Sequence, residues 1–505
     1  MPVREDVLSN SSRRASLTTA PPGTPVRLLF DSSISQVTQL RMKYAFRVFA
    51  AVYNHRVVDN SDQEAHAFVY GPVCPVGFKN SRAIWIPARY SESPASDLAS
   101  NSSLVRYADE DFCLFHGVDP TTKRPDWLGE IFEWLSSSRE RGTSQRDSVG
   151  RIPDSQMTSS RSGLPPWNPQ ACLLMAWLEN FSRNDGKGES LPKAPSPIAE
   201  ADHLVVCSHD VDFYFTNRRT ALQRLIKNLG IACLTYKSWS YFRSNLSMIW
   251  KLLVGERIGD YFPRLLDRLE QLGFRSTLFM VPAHAHRRDP NYSLDALRPQ
   301  IQSALARGFP VELHSSYTSI IENHAVAAEA RVLENFTGRK TYGSRQHWLR
   351  FGDPGMLFQA VEDADLFFDS SMGFNDLVGF RNGACFAFPP YDFKKERAHN
   401  FLEIPLAIMD GSLIESSRTN GEAPQSIAER VLNESRKHGW GGISILWHNP
   451  LEPLSVPQEI NQIFWHCAED RQRLREKWVS TEEFLSICLQ RYQNAGLLAD
   501  VKIEM

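Results

Sequence analysis

The sequence predicts an α/β protein whose main part is a parallel sheet or barrel. From about residue 200, strand-like apolar runs alternate with amphipathic helical segments, as in successive βα units. Three of the strand-like runs end in titratable residues, which are Asp210 with Asp212, His314, and His448. Because the carboxyl ends of parallel strands meet at one edge, we expect these side chains to share a site.

The composition is that of an ordinary globular protein. The chain has 505 residues, of which 42% are hydrophobic and 23% charged, enough for about two to four domains. A formal net charge of −2 argues against nucleic acid or an anionic membrane surface as the main partner, while leaving room for local basic patches. Eight scattered cysteines without short paired spacings favour reduced, buried thiols over disulfides.

The chain is predicted to divide into three parts. Residues 1–25 are rich in Ser, Thr, Pro and Arg and should form a disordered tail. Residues 26–192 should form a smaller N-terminal mixed α/β domain of unknown role, with a polar surface loop or linker at 139–166. Residues 200–500 should form the barrel.

Targeting segments are not evident. The N-terminus has no apolar core of the length that a signal peptide needs, and no later stretch approaches the ~18 apolar residues of a membrane helix. We therefore expect a cytoplasmic protein without membrane insertion.

A long insertion follows the first strand of the predicted barrel, at residues 217–256. Loops of that length in compact domains are often functional, so the insertion could be a lid or a wall of a substrate cleft. Plain packing is nearly as good an interpretation.

The first strand exit reads HLVVCSHDVDFYF from His203 to Phe215. Two acids separated by one residue, Asp210 and Asp212, allow one carboxylate to hold a metal while the other moves a proton. The alternative is a helix N-cap or an acid-rich turn. His314 ends the third strand and could bind a divalent metal, although lone histidines are more often structural.

Two later segments supply further candidates. The stretch SRQHWLRF brings Arg345, His347 and Trp348 together, offering a charge partner for an acid and another metal ligand. The alternative is a helix start with an ordinary basic face. The stretch ISILWHNP repeats the pattern of an apolar strand with a titratable residue, His448, at its exit.

In their order these segments resemble the NodB-homology polysaccharide deacetylases, carbohydrate esterase family four, and within it the branch whose first motif is Asp-X-Asp. The resemblance covers about residues 200–490. It implies a distorted (β/α) barrel with fewer than eight repeats and a metal-dependent removal of an N-acetyl or related acyl group. It depends on the segments SHDVD, GFRSTLFMVP, VELHSS, SRQHW, FFDSSMGF with GFRNGACFAFPPYD, and ISILWHNP.

The resemblance also implies roles for the metal ligands and the base. Asp210 matches the catalytic base, Asp212 the metal-binding acid and His314 the first metal histidine. The family places a second histidine four residues later, where this chain has Thr318, which has no imidazole. His347, at the proline position of the Arg-X-Pro-Tyr motif, is the expected substitute.

Further roles follow from the same resemblance. Arg345 matches the arginine that pairs with the base, and His448 the histidine that acts as general acid. Trp348 stands at the tyrosine position of the motif. Aromatic and polar residues at 369–392 suit a sugar ring, although a loop packing the barrel mouth would look alike. The predicted substrate-binding residues are Trp348, Tyr317, Arg381 and Asp369.

These observations predict a hydrolase with a divalent metal ion, zinc being the first expectation, that acts on an acylated amino sugar or glycan precursor and not on nucleic acid. A hydrolase of small linear or cyclic amides on the same barrel is one alternative. A non-catalytic glycan-binding barrel is another, motivated by Thr318. Protein partners cannot be inferred.

Overall fold

A computed structural model describes most of the chain. The described residues are 23–74, 83–92, 103–107, 109–184, 190–214, 218–236, 238–254, 261–284, 286–290, 292–322, 325–451 and 456–499. Most of the predicted tail, residues 1–25, lies outside them, and the first strand begins at Pro25.

The described residues of the N-terminal part form a small sheet, a hairpin and four α-helices. Strands β1 to β4 form a parallel sheet in the order β2-β1-β3-β4, and β5 pairs with β6 as an antiparallel hairpin. The strands are β1 (Pro25–Phe30), β2 (Arg56–Val57), β3 (His66–Gly71), β4 (Ala83–Pro87), β5 (Ser103–Tyr107) and β6 (Glu110–Leu114). The helices are α1 (Gln36–Val52), α2 (Trp127–Ser136), α3 (Thr158–Arg161) and α4 (Gln170–Asn184).

The second part is a curled parallel sheet. Its strands follow the order β14-β11-β10-β9-β8-β7-β16-β15, with β17 also paired to β7, and β12 and β13 form a separate hairpin. The strands are β7 (His203–Asp210), β8 (Thr277–Met280), β9 (Val311–Ser315), β10 (Gly343–Gln346), β11 (Phe368–Asp369), β12 (Tyr391–Asp392), β13 (Arg397–Ala398), β14 (Leu402–Glu403), β15 (Leu406–Met409), β16 (Gly441–Leu446) and β17 (Glu476–Val479).

Helices connect the strands of this sheet, as expected for parallel βα units. They are α5 (Arg218–Ile231), α6 (Trp239–Leu253), α7 (Phe262–Gln271), α8 (Arg298–Ala306), α9 (Ala325–Thr337), α10 (Pro354–Asp363), α11 (Asp410–Asn420), α12 (Pro424–His438), α13 (Gln458–Asp470) and α14 (Thr481–Asn494). α7 shows why they form: it buries Phe262, Leu265, Leu266 and Leu269 on one face.

The two ends of the curled sheet approach each other. A parallel bridge joins Gly373, just after β11, to Leu406 in β15. All eight residues of β7 are buried, which explains the continuous apolar run of that strand. Gly441 has a φ of +88°, and a Cβ there would lie 1.8 Å from the Leu204 carbonyl oxygen, so only glycine lets β16 approach β7 this closely. The result is the distorted, barrel-like sheet that the sequence predicts.

The N-terminal part shares a hydrophobic core with the barrel. One contiguous cluster of buried residues extends from Val26 to Leu497. The Tyr44 hydroxyl donates to the Pro389 carbonyl at 2.8 Å, and the Tyr44 ring lies 5.0 Å from that of Tyr391. The described part of residues 26–192 is therefore packed directly on the barrel.

The polar segment 139–166 lies against the barrel. The Glu140 carboxylate, fully buried, binds Arg381 at 2.6 Å. The Asp154 carboxylate accepts from the backbone N–H groups of residues 375–377 at 2.8 to 3.0 Å. The polar side chains of segment 139–166 therefore pack against the barrel. The composition of the segment, which predicts a surface loop or linker, does not reveal these contacts.

Removing one partner of the Glu140–Arg381 pair should destabilise the protein strongly. Arg381→Gln leaves the Glu140 carboxylate buried without its ionic partner, which typically costs about 3–5 kcal/mol. Urea unfolding should report this loss. Arg473→Gln, which removes an exposed ion pair with Asp470, is the matched control and should not shift the midpoint. Equal midpoints for the two variants would contradict a stabilising role for Arg381.

Candidate active site and metal centre

The functional candidates converge at the carboxyl edge of the parallel strands. β7 ends at Asp210, β9 contains His314 and β10 is followed directly by His347. β16 ends two residues before His448. Because these strands belong to one parallel sheet, their exits bring together side chains that lie between 33 and 238 residues apart in sequence.

Asp212, His314 and His347 form a set of metal-ligand type. Their candidate ligand atoms all lie within 4.8 Å of one another. Asp212 Oδ1 is 3.4 Å from His314 Nε2 and 3.5 Å from His347 Nε2. The same Oδ1 is buried without a hydrogen-bond partner among the described residues. One carboxylate and two imidazoles suit zinc and similar divalent ions, so this donor set fits the predicted cofactor.

Both histidines are held with Nε2 facing Asp212. His314 Nδ1 lies 2.8 Å from the Arg345 carbonyl oxygen and can only donate to it. His347 Nδ1 lies 3.2 Å from Asp289 Oδ1. A partner on Nδ1 of this kind fixes the tautomer and leaves Nε2 as the ligand atom.

Asp289 is a functional candidate that the sequence analysis missed. Its carboxylate also accepts from the backbone N–H groups of Tyr317 at 2.8 Å and His286 at 2.9 Å. The available signal was weak, because an acid in the loop after β8 is an ordinary loop residue until the fold brings it to His347.

The electrostatics of this set favour positive charge at its centre. Burial by itself would raise the pKa of Asp212, but the charge of His347 and the close imidazoles of His314 and His448 hold it well below its usual range. Burial would lower the pKa of His347, but Asp212 and Asp289 raise it to about 9. The carboxylates thus stabilise a cation at this position.

Asp210 lies beside this set with a different partner. Its Oδ1 accepts from Arg345 Nη1 at 2.7 Å, while Oδ2 lies 3.5 Å from His314 Nε2. Arg345 is fully buried and donates its remaining hydrogens to Ser208, Ser370 and Ser444. This arrangement places the Arg345 guanidinium behind the Asp210 carboxylate, on the side away from His314 Nε2.

His448 lies on the opposite side of Asp212. Its Nε2 is 3.4 Å from Asp212 Oδ2, and its Nδ1 is 2.8 Å from Asp410 Oδ1. Asp410 Oδ2 accepts from the backbone N–H of His448 at 3.0 Å. Burial would lower the pKa of His448, but Asp410 and Asp212 hold it well above its usual range. Asp410, the first residue of α11, was not identified from the sequence.

Trp348 is the one predicted substrate-binding residue that opens onto the cleft. It has a φ of +65°, and Leu349 follows with a φ of +48°, so two consecutive non-glycine residues adopt the left-handed conformation. Such strain is found where the surrounding structure imposes it, often at functional sites. The residue is 45% exposed.

The structure places the other three predicted substrate-binding residues in packing roles. The Tyr317 hydroxyl donates to the Val149 carbonyl at 2.7 Å. Asp369 is fully buried and accepts from Ser344 Oγ at 2.8 Å. Arg381 is buried against Glu140. Because their polar atoms are already bound within the protein, these three side chains offer little to a sugar.

Cationic side chains surround the opening of the cleft. Two adjoining cavities of about 380 and 690 Å³ share Asp212 and Trp348 as lining residues. Along the described lining, the Lys and Arg side chains are Arg151, Arg224, Lys227, Arg287 and Arg288. Arg224 and Lys227 belong to α5, so the long insertion forms one wall of the cleft, which is one of the two interpretations that its length allowed.

A second group of potential ligands lies elsewhere on the protein. Glu362, Asp392 and His399 also have ligand atoms within 4.8 Å of one another. The Glu362 carboxylate, however, already binds Lys395 at 3.1 Å and Arg397 at 2.9 Å. Because those cations neutralise it, this group is better explained as an ion-pair network.

No protein-family model matches the chain, and no curated protein matches it. Among solved structures, it is similar to the catalytic domain of a peptidoglycan N-acetylglucosamine deacetylase from Eubacterium rectale ATCC 33656, at 12% identity over 55% of this chain and 87% of that one, with a TM-score of 0.27.

Two further solved structures are similar at the same level. IcaB from Ammonifex degensii is 14% identical over 33% of this chain and 83% of its own, with a TM-score of 0.20. A GH57-type branching enzyme from the archaeon Pyrococcus horikoshii is 11% identical over 56% of this chain and 60% of its own, with a TM-score of 0.25. TM-scores this low carry no argument about function, and the residues of the site are the basis for any functional assignment.

Replacing His347 should weaken metal binding, whereas replacing Thr318 should not. His347→Ala removes a nitrogen that faces Asp212, while Thr318→Ala removes a hydroxyl without a hydrogen-bond partner among the described residues. Zinc titration of metal-free protein should show a loss of affinity of more than ~10-fold for the first variant only. Unchanged affinity in His347→Ala would remove His347 from the ligand set.

Replacing Asp289 should weaken metal binding through His347. Asp289→Asn keeps the size of the side chain but removes the charge that orients the imidazole, a change that typically costs about 10- to 100-fold in affinity. Competition with a zinc chelator would measure it. Asp376→Asn, at an exposed position, is the matched control and should behave as the wild type.

Proposed function

We propose that the protein is a divalent-metal-dependent hydrolase that removes an N-acetyl or related acyl group from an amino sugar or glycan precursor. The observation that carries the proposal is the convergence of three side-chain groups on one cleft. These are the ligand set Asp212, His314 and His347, the acid Asp210 with its arginine, and His448 with its carboxylate.

A divalent cation held by Asp212, His314 and His347 would polarise the acyl oxygen and lower the pKa of a water molecule. Asp210 then accepts the proton of the attacking water. Its Oδ1 is occupied by Arg345, so Oδ2 is the oxygen available for that proton. The hydrogen bond from Arg345 also holds the carboxylate in position for this transfer.

His448 donates a proton to the departing amine. Asp410 accepts from His448 Nδ1, which orients the ring and leaves Nε2 facing the cleft. An amide nitrogen leaves poorly as an anion, so cleavage needs an acid at this point. The neighbouring carboxylates Asp410 and Asp212 raise the pKa of His448, which favours the protonated ring that a general acid needs.

The remaining cleft surface suits an acyl group and a sugar. Leu349, Leu446 and Met409 form an apolar patch beside His448, which would accommodate the methyl of an acetyl group. The half-exposed Trp348 ring offers a face on which a sugar can stack. This combination favours a small acyl group on a carbohydrate.

Asp210→Asn should remove activity while leaving the metal in place. The amide cannot accept the proton, and loss of a general base typically lowers kcat by about 10²- to 10⁴-fold. Acetate release from N-acetylglucosamine oligomers, measured together with metal content, tests this. Asp376→Asn serves again as the control. Full activity in Asp210→Asn would exclude the proposed base.

Asp410→Asn should change the pH dependence of the reaction. Asp410 raises the pKa of His448, so the loss of the Asp410 charge lowers the pKa of His448. The protonated form of His448, which is the proposed acid, is then lost at a lower pH. The basic limb of the profile of kcat against pH should therefore move to lower pH. A uniform loss of rate at every pH would instead indicate that Asp410 only supports the structure.

A further inference from the structure

A pair of helices beside the cleft has an unusual surface. We use the name hairpin for residues 218–254, which comprise α5, a π-helical turn at Ala232–Tyr236 and α6. α5 and α6 pack on each other through a small core of Ala221, Leu225 and Leu252. That core covers one face of each helix and leaves another face of α6 outside it.

The outer face of α6 is apolar. Trp239, Leu246, Trp250 and Leu253 recur at i, i+7, i+11 and i+14, a spacing that places them on one side of a helix. The exposed fractions are 70% for Trp239, 48% for Leu246, 66% for Trp250 and 65% for Leu253. Ile226, Leu234 and Val254 of the same hairpin are also exposed. A contiguous apolar surface of this kind marks an interaction site.

The hairpin is also strongly basic. Its sequence contains seven Lys and Arg residues and no Asp or Glu, although the whole chain has a formal net charge of −2. Arg243 and Lys251 are exposed on α6, close to the apolar stripe. The basic residues are Arg218, Arg219, Arg224, Lys227, Lys237, Arg243 and Lys251.

The apolar and basic character of the hairpin distinguishes between two possible partners, a second copy of the chain and a lipid surface. In a two-fold dimer the hairpin would meet its own copy, and like charges would oppose each other. An anionic bilayer surface offers both a negative potential and an interfacial region where Trp rings are favoured. Among the described residues, no helix is long and apolar enough to cross a membrane.

We propose that the hairpin docks the protein on the surface of an anionic lipid bilayer, with α6 lying in the interface. The hairpin also lines the cleft through Arg224, Lys227 and Ile231. Docking would therefore bring the cleft opening close to the lipid headgroups. If the proposed function holds, a cleft at this position favours a substrate in which the acylated amino sugar is attached to a lipid carrier.

Vesicle binding tests the docking directly. Full-length protein is sedimented with vesicles of phosphatidylcholine alone or mixed with phosphatidylserine. We expect binding to the mixed vesicles only, and its decrease as salt rises. Trp239→Ser/Trp250→Ser should lower the partition coefficient by at least ~10-fold, because both rings leave the interface. Arg243→Gln/Lys251→Gln should weaken binding to anionic vesicles by about 10-fold or more.

Val332→Ser/Met356→Ser is the matched control, since both side chains are exposed and apolar but lie outside the hairpin; it should bind as the wild type. Circular dichroism checks that each variant folds. Equal binding to both vesicle types, no binding, or unchanged binding of the tryptophan variant would overturn the proposal. So would a dimer, seen by sedimentation velocity, that those substitutions dissociate. Vesicle binding without acetate release would count against the proposed hydrolase and leave docking intact.

Discussion

The buried guanidinium of Arg345 is the constraint on which the site depends. A cation without any exposed surface is tolerated only when its donors are all satisfied. Arg345 donates through Nε to the Ser370 carbonyl at 3.0 Å, and through its terminal nitrogens to Asp210 and to the hydroxyls of Ser208, Ser370 and Ser444. These acceptors come from β7, β16 and the segment after β11, so the charge fixes the relative positions of several barrel strands.

The same residue links Asp210 to the candidate metal ligands. Its side chain orients Asp210, and its backbone carbonyl accepts from His314 Nδ1. Asp289 supports His347, and Asp410 supports His448, in a comparable way. Each reactive side chain is thus held by a second polar group, which is how a site keeps its geometry without substrate.

The local distribution of charge says more about the partners of this protein than its net charge does. A formal net charge of −2 argues against an anionic surface as partner. Yet seven basic residues fall within the hairpin, and the surrounding sequence balances them. Because an electrostatic interaction decays within about 10 Å at ordinary salt, the local cluster determines what the hairpin can bind.

The residues at the strand exits can be predicted from the amino-acid sequence alone. An apolar run followed by Asp210, His314 or His448 is a local pattern, and parallel pairing then requires those residues to meet at one edge. Their hydrogen-bond partners, in contrast, are visible only in the tertiary structure. Asp289 and Asp410 are unremarkable in sequence, whereas Arg381 and Asp369 resemble ligand-binding residues but are buried against Glu140 and Ser344. Hydrogen-bond partners are set by packing between distant segments, and a local pattern cannot contain that information.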